Sequence, residues 1–410
     1  MVRSIVLFLE MHQPRRLRRG VLDKLCDLRV SEVNNSVLSS IIFDDDANKE
    51  ILNRVSEKSY IPTLELMKGL GNEGFKVALS ISGSLIDQLL MWRPEVIELL
   101  KDLANRGIIE FVAEPYHHSL ASFVSEDLFL EELKDHVEII RSLFNQVPMT
   151  FENTEFLYRN DWGVIMERAG ASVVLTEGVD WVLGWRSPTY VYGTPNSKIR
   201  LLLRHYRLSD DVGFRFSNRS WDQWPLTADK YMAWIRATPG DFVLIGLDFE
   251  TFGEHHWRES GIFEFLEWLP KEAHKADVTF IHPSLLVKED PIDYLDIPST
   301  ISWADVEKDD SAWQGNDLQR IALSHVAAIG DLVRNYGIEK TWRYLLTSDH
   351  YYYMSMKHGP SGEVHNYFNP YKSAFTAFKV LEDVILGITC ALTGLNKVKS
   401  SHRGLQRKHG

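Results

Sequence analysis

The chain has 410 residues, 44% of them hydrophobic and 25% charged, and a formal net charge of −12. That length accommodates one large α/β domain plus a smaller one, or two ordinary domains. The acidic balance disfavours a nucleic-acid partner, and two cysteines at opposite ends of the chain, Cys26 and Cys390, argue against a disulfide framework or a cysteine-based zinc site.

In chain order, short apolar runs recur and each delivers polar, chemically capable residues. Ser4 to Leu9 leads into Glu10-Met11-His12-Gln13-Pro14. This first run is too short for a signal peptide and is followed by charge, and nothing later approaches membrane-spanning length. A cytoplasmic protein without a membrane partner is the expectation. The basic patch Arg15 to Arg19 reads as a solvated loop. Lys76 to Ile81 leads into Ser82-Gly83-Ser84, and Ile108 to Val112 into Ala113-Glu114-Pro115-Tyr116-His117-His118. Pro148 to Phe151 leads into Glu152-Asn153-Thr154-Glu155, and Ala171 to Leu175 into Thr176-Glu177-Gly178. Phe242 to Leu247 delivers Asp248 and Glu250, followed by Gly253-Glu254-His255-His256, and Val278 to His282 reads as one more strand.

Helical patterns separate these runs. Ser59 to Lys68, Pro94 to Asn105, Ser125 to Phe144 and Asp161 to Gly170 place apolar residues three and four apart. Alternating strands and helices predict parallel βα units, and about seven of them suggest a barrel. Residues 199–237 are less regular and read as excursions over the barrel mouth. Near Pro291 turn-rich sequence replaces the strand signals, and Leu318 to Tyr336, Ile338 to Leu346 and Ser373 to Leu392 read as helices, the last stopped by Gly394. The predicted division is a catalytic α/β barrel over 1–290, a helical region over 291–396 contributing to the active-site cleft, and a disordered tail over 397–410.

Active sites of parallel α/β folds are built beyond the carboxyl ends of the strands. Asp248 and Glu250 stand two apart at such an end, where strand alternation would point both the same way. Glu155 follows another run and suits a nucleophile, although Asn153 and Thr154 equally fit caps that would make it a helix N-terminal carboxylate. Paired with Asp248, 93 positions on, it would supply the two carboxyl groups of glycoside hydrolysis, roughly 5–5.5 Å apart in the retaining version. Apolar neighbours Leu247 and Phe249 would help raise the pKa of an acid at Asp248. His12, Glu114, His117 and His118 could bind sugar hydroxyls or hold a metal, with His255 and His256 adding some weight to the metal, although no local ligand spacing supports it. Trp221 and Trp224 offer flat faces suited to sugar rings. Ser348-Asp349-His350-Tyr351-Tyr352-Tyr353 lies among helices, and three successive aromatics cannot share one helix face, so a cleft competes with a core reading.

Five segments in order resemble family 57 of the glycoside hydrolases, in its α-amylase-like branch. They are His12-Gln13-Pro14, Gly107 to His118, Phe151 to Glu155, Asp248 to His255 and Ser348 to Tyr353. The resemblance implies a (β/α)7 barrel, an incomplete relative of the eight-stranded TIM barrel, with a following helical region and a retaining mechanism that uses no metal or other cofactor. It assigns Glu155 as nucleophile and Asp248 as general acid/base. His12, Glu114, Glu250 and Asp349 match other positions of the segments and would line the site, and Gln13, His117, His255 and His350 are further candidates for substrate binding. Two positions depart from the branch: Arg15 stands where an aromatic often follows His-Gln-Pro, and Phe151-Glu152 precedes Asn-Thr-Glu in place of a pairing with a basic residue.

The function these features predict is hydrolysis of α-1,4 linkages in α-glucans or malto-oligosaccharides. A 4-α-glucanotransferase would share every catalytic residue, and Trp221 and Trp224 are then candidates for an acceptor platform. A metal-dependent carbohydrate deacetylase is the alternative from another class, with His12, Glu114, His117 and Asp248 as ligands.

Overall fold

The computed structural model describes residues 1–394; the expected tail over 397–410 lies outside the described residues. Two compact units emerge. The first comprises Met1–Gln13, Lys49–Tyr116 and Ser125–Asp309, and the second Pro14–Asn48, His117–Val124 and the chain from Asp310 onward.

The first unit is a (β/α)7 barrel. Its strands are β1 (Ser4–Met11), β2 (Val77–Ile81), β3 (Ile109–Val112), β4 (Thr150–Phe151), β5 (Val173–Glu177), β6 (Arg200–Arg204) and β7 (Phe242–Asp248). Parallel ladders join β1 to β2, β2 to β3, β4 to β5, β5 to β6, β6 to β7 and β7 back to β1. The ring is nearly closed by a single bridge, where Ala113, just past β3, pairs in parallel with Phe151. There the Ala113 N–H donates to the Thr150 carbonyl at 2.9 Å and the Glu152 N–H to the Ala113 carbonyl at 2.8 Å.

Strand alternation divides the core in two. Val6 and Phe8 join Ala78, Val112, Val173, Leu175, Leu202, Phe242 and Leu244 in the barrel interior. Ile5, Leu7 and Leu9 face the other way and pack with the surrounding helices. Those helices include Ile61–Leu70, Pro94–Asn105, Glu126–Phe144 and Ile262–Lys275. Ser125 caps Glu126–Phe144 by accepting the Leu128 N–H.

The seventh strand is not the one the apolar runs suggested. Thr279–Phe280 pairs for only two residues with the start of β1, at a side branch of the sheet. Its place in the ring belongs to β6, from the stretch read as irregular. Arg200 and Arg204 bracket the apolar Leu201–Leu203, and the inward partners that Arg204 requires are distant in sequence, so the segment lacked a strand signature. The observed division also falls at 309/310, where the sequence suggested 290. Residues 291–309 remain with the barrel because they pair with it: the Tyr158 and Ile301 N–H groups each donate to the other's carbonyl at 2.9 Å, and Asp293–Tyr294 pairs with Tyr192–Gly193.

The second unit is mainly helical, with Asp317–Ala328, Gly330–Asn335, Glu339–Arg343, Ser348–Tyr352, Gly359–Phe368 and Ala374–Thr393. The last of these ends against Gly394, whose N–H donates to the Cys390 carbonyl. Within this unit the basic patch is largely tied down. Arg15 makes a bidentate pair with Asp45 and lies 4.2 Å over the Phe43 ring, so this arginine is held in place.

Candidate active site

At the carboxyl ends of the strands the inward positions change from apolar to polar. Continuing the alternation past Phe8 gives Glu10, past Ala78 gives Ser80, past Val112 gives Glu114, past Leu175 gives Glu177, past Leu202 gives Arg204, and past Gly246 gives Asp248. Register sets Glu10 beside both Ser80 and Asp248. One layer of side chains thus closes the apolar core and opens a polar floor. Burying carboxylates this way is costly unless each is hydrogen-bonded, paired or protonated, and all three solutions occur.

Glu155 is held by its backbone as much as by its side chain. It occupies the 3₁₀ turn Thr154–Phe156 after β4, with φ 59° and ψ 29°, and Phe156 follows at φ 56°. Left-handed conformations are unfavourable for non-glycine residues, on the order of 1–3 kcal/mol each, and persist only where the surroundings impose them. Here Phe156 is fully buried, 5.0 Å from the Phe8 ring and 4.8 Å from Trp303. Its carbonyl accepts the Thr176 hydroxyl at 2.8 Å. Residues 301–303 run alongside, and the Trp303 N–H donates to the Glu155 carbonyl at 3.3 Å. The Trp303 indole Nε1 donates to Glu155 Oε2 at 2.6 Å. Glu155 thus sits in a 3₁₀ turn with left-handed backbone and no side-chain cap, its carboxylate held through Oε2 by the indole.

Beneath Trp303 lies a buried ion network. Arg204 donates through Nη1 to Glu177 Oε2 at 2.9 Å, through Nη2 to Asp210 Oδ1 at 2.7 Å and through Nε to the Gly246 carbonyl at 2.9 Å. Lys308 Nζ completes it, 3.0 Å from Glu177 Oε2. Burial works against the Arg204 charge, but Glu177 and Asp210 outweigh it and hold the guanidinium pKa above its ordinary value. A side chain at Gly246 would meet Arg204 Cδ at 3.1 Å and Phe156 Cε2 at 3.2 Å, which is why this strand position stays bare.

Asp248 ends β7 and is half-exposed, with His255 Nδ1 4.0 Å from its Oδ2. The strand stops there and Phe249–Thr251 turns as a 3₁₀ helix, so the expected same-face pairing with Glu250 does not arise. Glu250 is instead buried, and its Oε1 accepts from Tyr60 at 2.5 Å and from Gln13 Nε2 at 3.3 Å. Burial above all, together with the nearby Asp248 charge, pushes its carboxyl up to about 8, although the two hydrogen bonds oppose the shift. Both of these side-chain donors converge on Oε1. Gly253 at φ 104° shapes the following loop, since a Cβ there would sit 2.0 Å from the Lys58 carbonyl.

The remaining predicted residues separate into groups. In the first unit His12 Nδ1 lies 2.7 Å from Ser82 Oγ, and Glu114 Oε1 accepts the Ser80 hydroxyl at 2.7 Å. His256 is structural: Nε2 donates to the Val212 and Gly213 carbonyls, and Nδ1 accepts the Ser217 hydroxyl. Trp221 packs edge-on against Trp234 at the margin of the outer core, whereas Trp224 is exposed. His117, Asp349 and His350 belong to the second unit. His117 is buried edge-on against Tyr344, and its carbonyl accepts the Thr347 hydroxyl. Asp349 Oδ1 lies 3.4 Å from the Tyr353 hydroxyl, and His350 is buried. Tyr351 and Tyr353 are core residues, while Tyr352 stacks on His365 at 3.7 Å.

Sequence reasoning missed Tyr60, Arg204 and Trp303. Tyr60 lies within a predicted helix as an unremarked aromatic. Trp303 follows the boundary placed at 290, 148 positions from the carboxylate it binds.

The sequence profile of glycosyl hydrolase family 57 matches residues 6–297. This chain belongs to glycoside hydrolase family 57. A protein named "Putative alpha-amylase" from Methanocaldococcus jannaschii is 39% identical over 422 residues, covering 98% of this chain and 87% of its own. Among solved structures, the family 57 branching enzyme from Pyrococcus horikoshii superposes with a TM-score of 0.65 at 13% identity, covering 90% of this chain and 87% of its own. The 4-α-glucanotransferase from Thermococcus litoralis superposes with a TM-score of 0.58 at 15% identity over 86% of this chain. The family 57 chain described here spans about half of that enzyme's length, 51%. These structural likenesses establish the fold. Family membership makes the protein a glycosidase-type enzyme with a polysaccharide substrate. Among the described residues no helix is long and apolar enough to cross a membrane.

Proposed function

We propose that this family 57 enzyme is a retaining glycosidase that cleaves α-1,4 linkages in α-glucans by double displacement. The observation that carries the reading is the contrast between Glu155, pinned through Oε2 by Trp303, and Asp248, half-exposed at another carboxyl end of the same barrel. In the first step Glu155 attacks the anomeric carbon through its other carboxyl oxygen while Asp248 protonates the departing glycosidic oxygen. The carbon–oxygen bond of the linkage breaks as the glycosyl–Glu155 ester forms. In the second, Asp248 removes a proton from water and the resulting attack releases the sugar with its original anomeric configuration and Glu155 as a free carboxylate. Buried, neutral Glu250 keeps a second full charge away from Asp248 below about pH 8.

The names of the relatives, amylase, glucanotransferase and branching enzyme, fit an α-glucan substrate. Membership in a glycosidase family favours this reading over a metal-dependent deacetylase. Incubation with maltoheptaose, followed by chromatography that resolves chain length, tests it. Shorter products alone support the hydrolase. Products longer than the starting sugar make the protein a 4-α-glucanotransferase, and no reaction contradicts the substrate class.

A further inference from the structure

The network beneath Glu155 does more than compensate buried charge. Residues 302–309 form a loop closed on itself, with the Ser302 N–H donating to the Lys308 carbonyl at 3.1 Å and the Ser302 hydroxyl to the Asp309 carbonyl at 2.6 Å. Asp305 and Lys308 both adopt left-handed backbone, at φ 56° and 52°, so the loop's shape is imposed by its contacts. Two of its side chains reach into the barrel mouth. Lys308 ends on Glu177, which is fully buried, and Trp303 ends on Glu155. Between them Arg204, already fixed by Glu177, Asp210 and the Gly246 carbonyl, lies 5.5 Å from the Trp303 ring. Lys308 also sits 4.6 Å over the Tyr206 ring, a second hold on the same side chain.

We propose that Trp303 is a positioning residue for the nucleophile and that the Lys308–Glu177–Arg204 network acts through it. The network anchors the 302–309 loop, and the loop keeps the indole N–H on Oε2 so that the attacking oxygen stays aimed. A carboxylate free to rotate would lose its near-attack orientation, and reaction rates are steeply sensitive to such displacements. The inference rests on Glu155 being the nucleophile.

The test uses Trp303→Phe, which keeps a ring but removes the N–H, Lys308→Met, which keeps the stem but removes the charge, Lys308→Arg, and the double variant W303F/K308M. Loss of a hydrogen bond to a charged group predicts a fall in kcat of about 10- to 100-fold for W303F, with KM within about threefold of the parent. K308M should lose about three- to tenfold in kcat and K308R should recover most of it. The double variant should fall no more than about twofold below W303F, because Lys308 acts through a contact already removed. Multiplied losses in the double variant, or a wild-type kcat for W303F, would overturn the proposal. An activated fluorosugar α-glucosyl fluoride separates the two readings by peptide mass. Label on another carboxylate refutes both. Label on Glu155, formed as fast in W303F as in the parent, refutes only the positioning role.

Discussion

The loops that carry Glu155 and Asp248 leave the same barrel by opposite devices. Glu155 stands on left-handed backbone, zipped to residues 301–303 and pinned by an indole N–H. Asp248 is the last residue of a regular strand, half open to solvent, with a histidine 4.0 Å away. A nucleophile must meet a carbon at one angle, so orientation is worth backbone strain. A proton shuttle must exchange with leaving group and water in turn, so access matters more than rigidity. The difference in how the two are held is what the proposed roles, attack by Glu155 and proton transfer by Asp248, would demand of each position.

Substitutions should separate the two positions. Glu155→Gln should lower kcat by at least about 10⁴-fold on every substrate, because it removes the covalent route itself. Steady-state rates with a malto-oligosaccharide and with an aryl glycoside of low leaving-group pKa check this. Asp248→Asn should cost about 10²- to 10⁴-fold on the malto-oligosaccharide, the range of general acid catalysis. With the aryl glycoside its first step needs no acid, so a burst of aglycone should precede slow turnover. Equal losses on both substrates would remove Asp248 from the acid role.

Glu250 predicts a pH effect on stability. Its carboxyl stays protonated up to about pH 8 in the folded protein and would ionise near its usual 4.5 when unfolded. Between these values the folded state binds the extra proton. Its contribution to stability is therefore complete below about 4.5 and declines as pH rises towards 8. Glu250→Gln should flatten that decline, which thermal midpoints measured across the window would reveal. The smallest effect is expected from His255→Ala. It loses less than about tenfold in activity if the histidine only tunes Asp248 across 4.0 Å, with most of the change in the pH profile.

Most barrel strands are legible because a strand buried on both faces reads as a short apolar run, as at Ser4–Met11 and Phe242–Asp248. Arg200–Arg204 hides because its inward charge is neutralised by Glu177 and Asp210, and sequence order does not display such partnerships. The acidic residues at strand ends are visible one by one. What holds them is not: Trp303 and Tyr60 reach their carboxylates only after the chain has folded, from 148 and 190 positions away. The alternation rule misplaced Glu250 for a local reason, since the strand yields to a 3₁₀ turn at Phe249.

The central claim, that one carboxylate attacks and the other shuttles protons, is tested most directly by the anomeric form of the first product. Proton NMR should follow fresh enzyme and a malto-oligosaccharide before mutarotation equilibrates the new reducing ends. The double-displacement account predicts that the α-anomer appears first and later relaxes towards the equilibrium mixture. Initial release of the β-anomer would mean a single inverting displacement and would contradict the role given to Glu155.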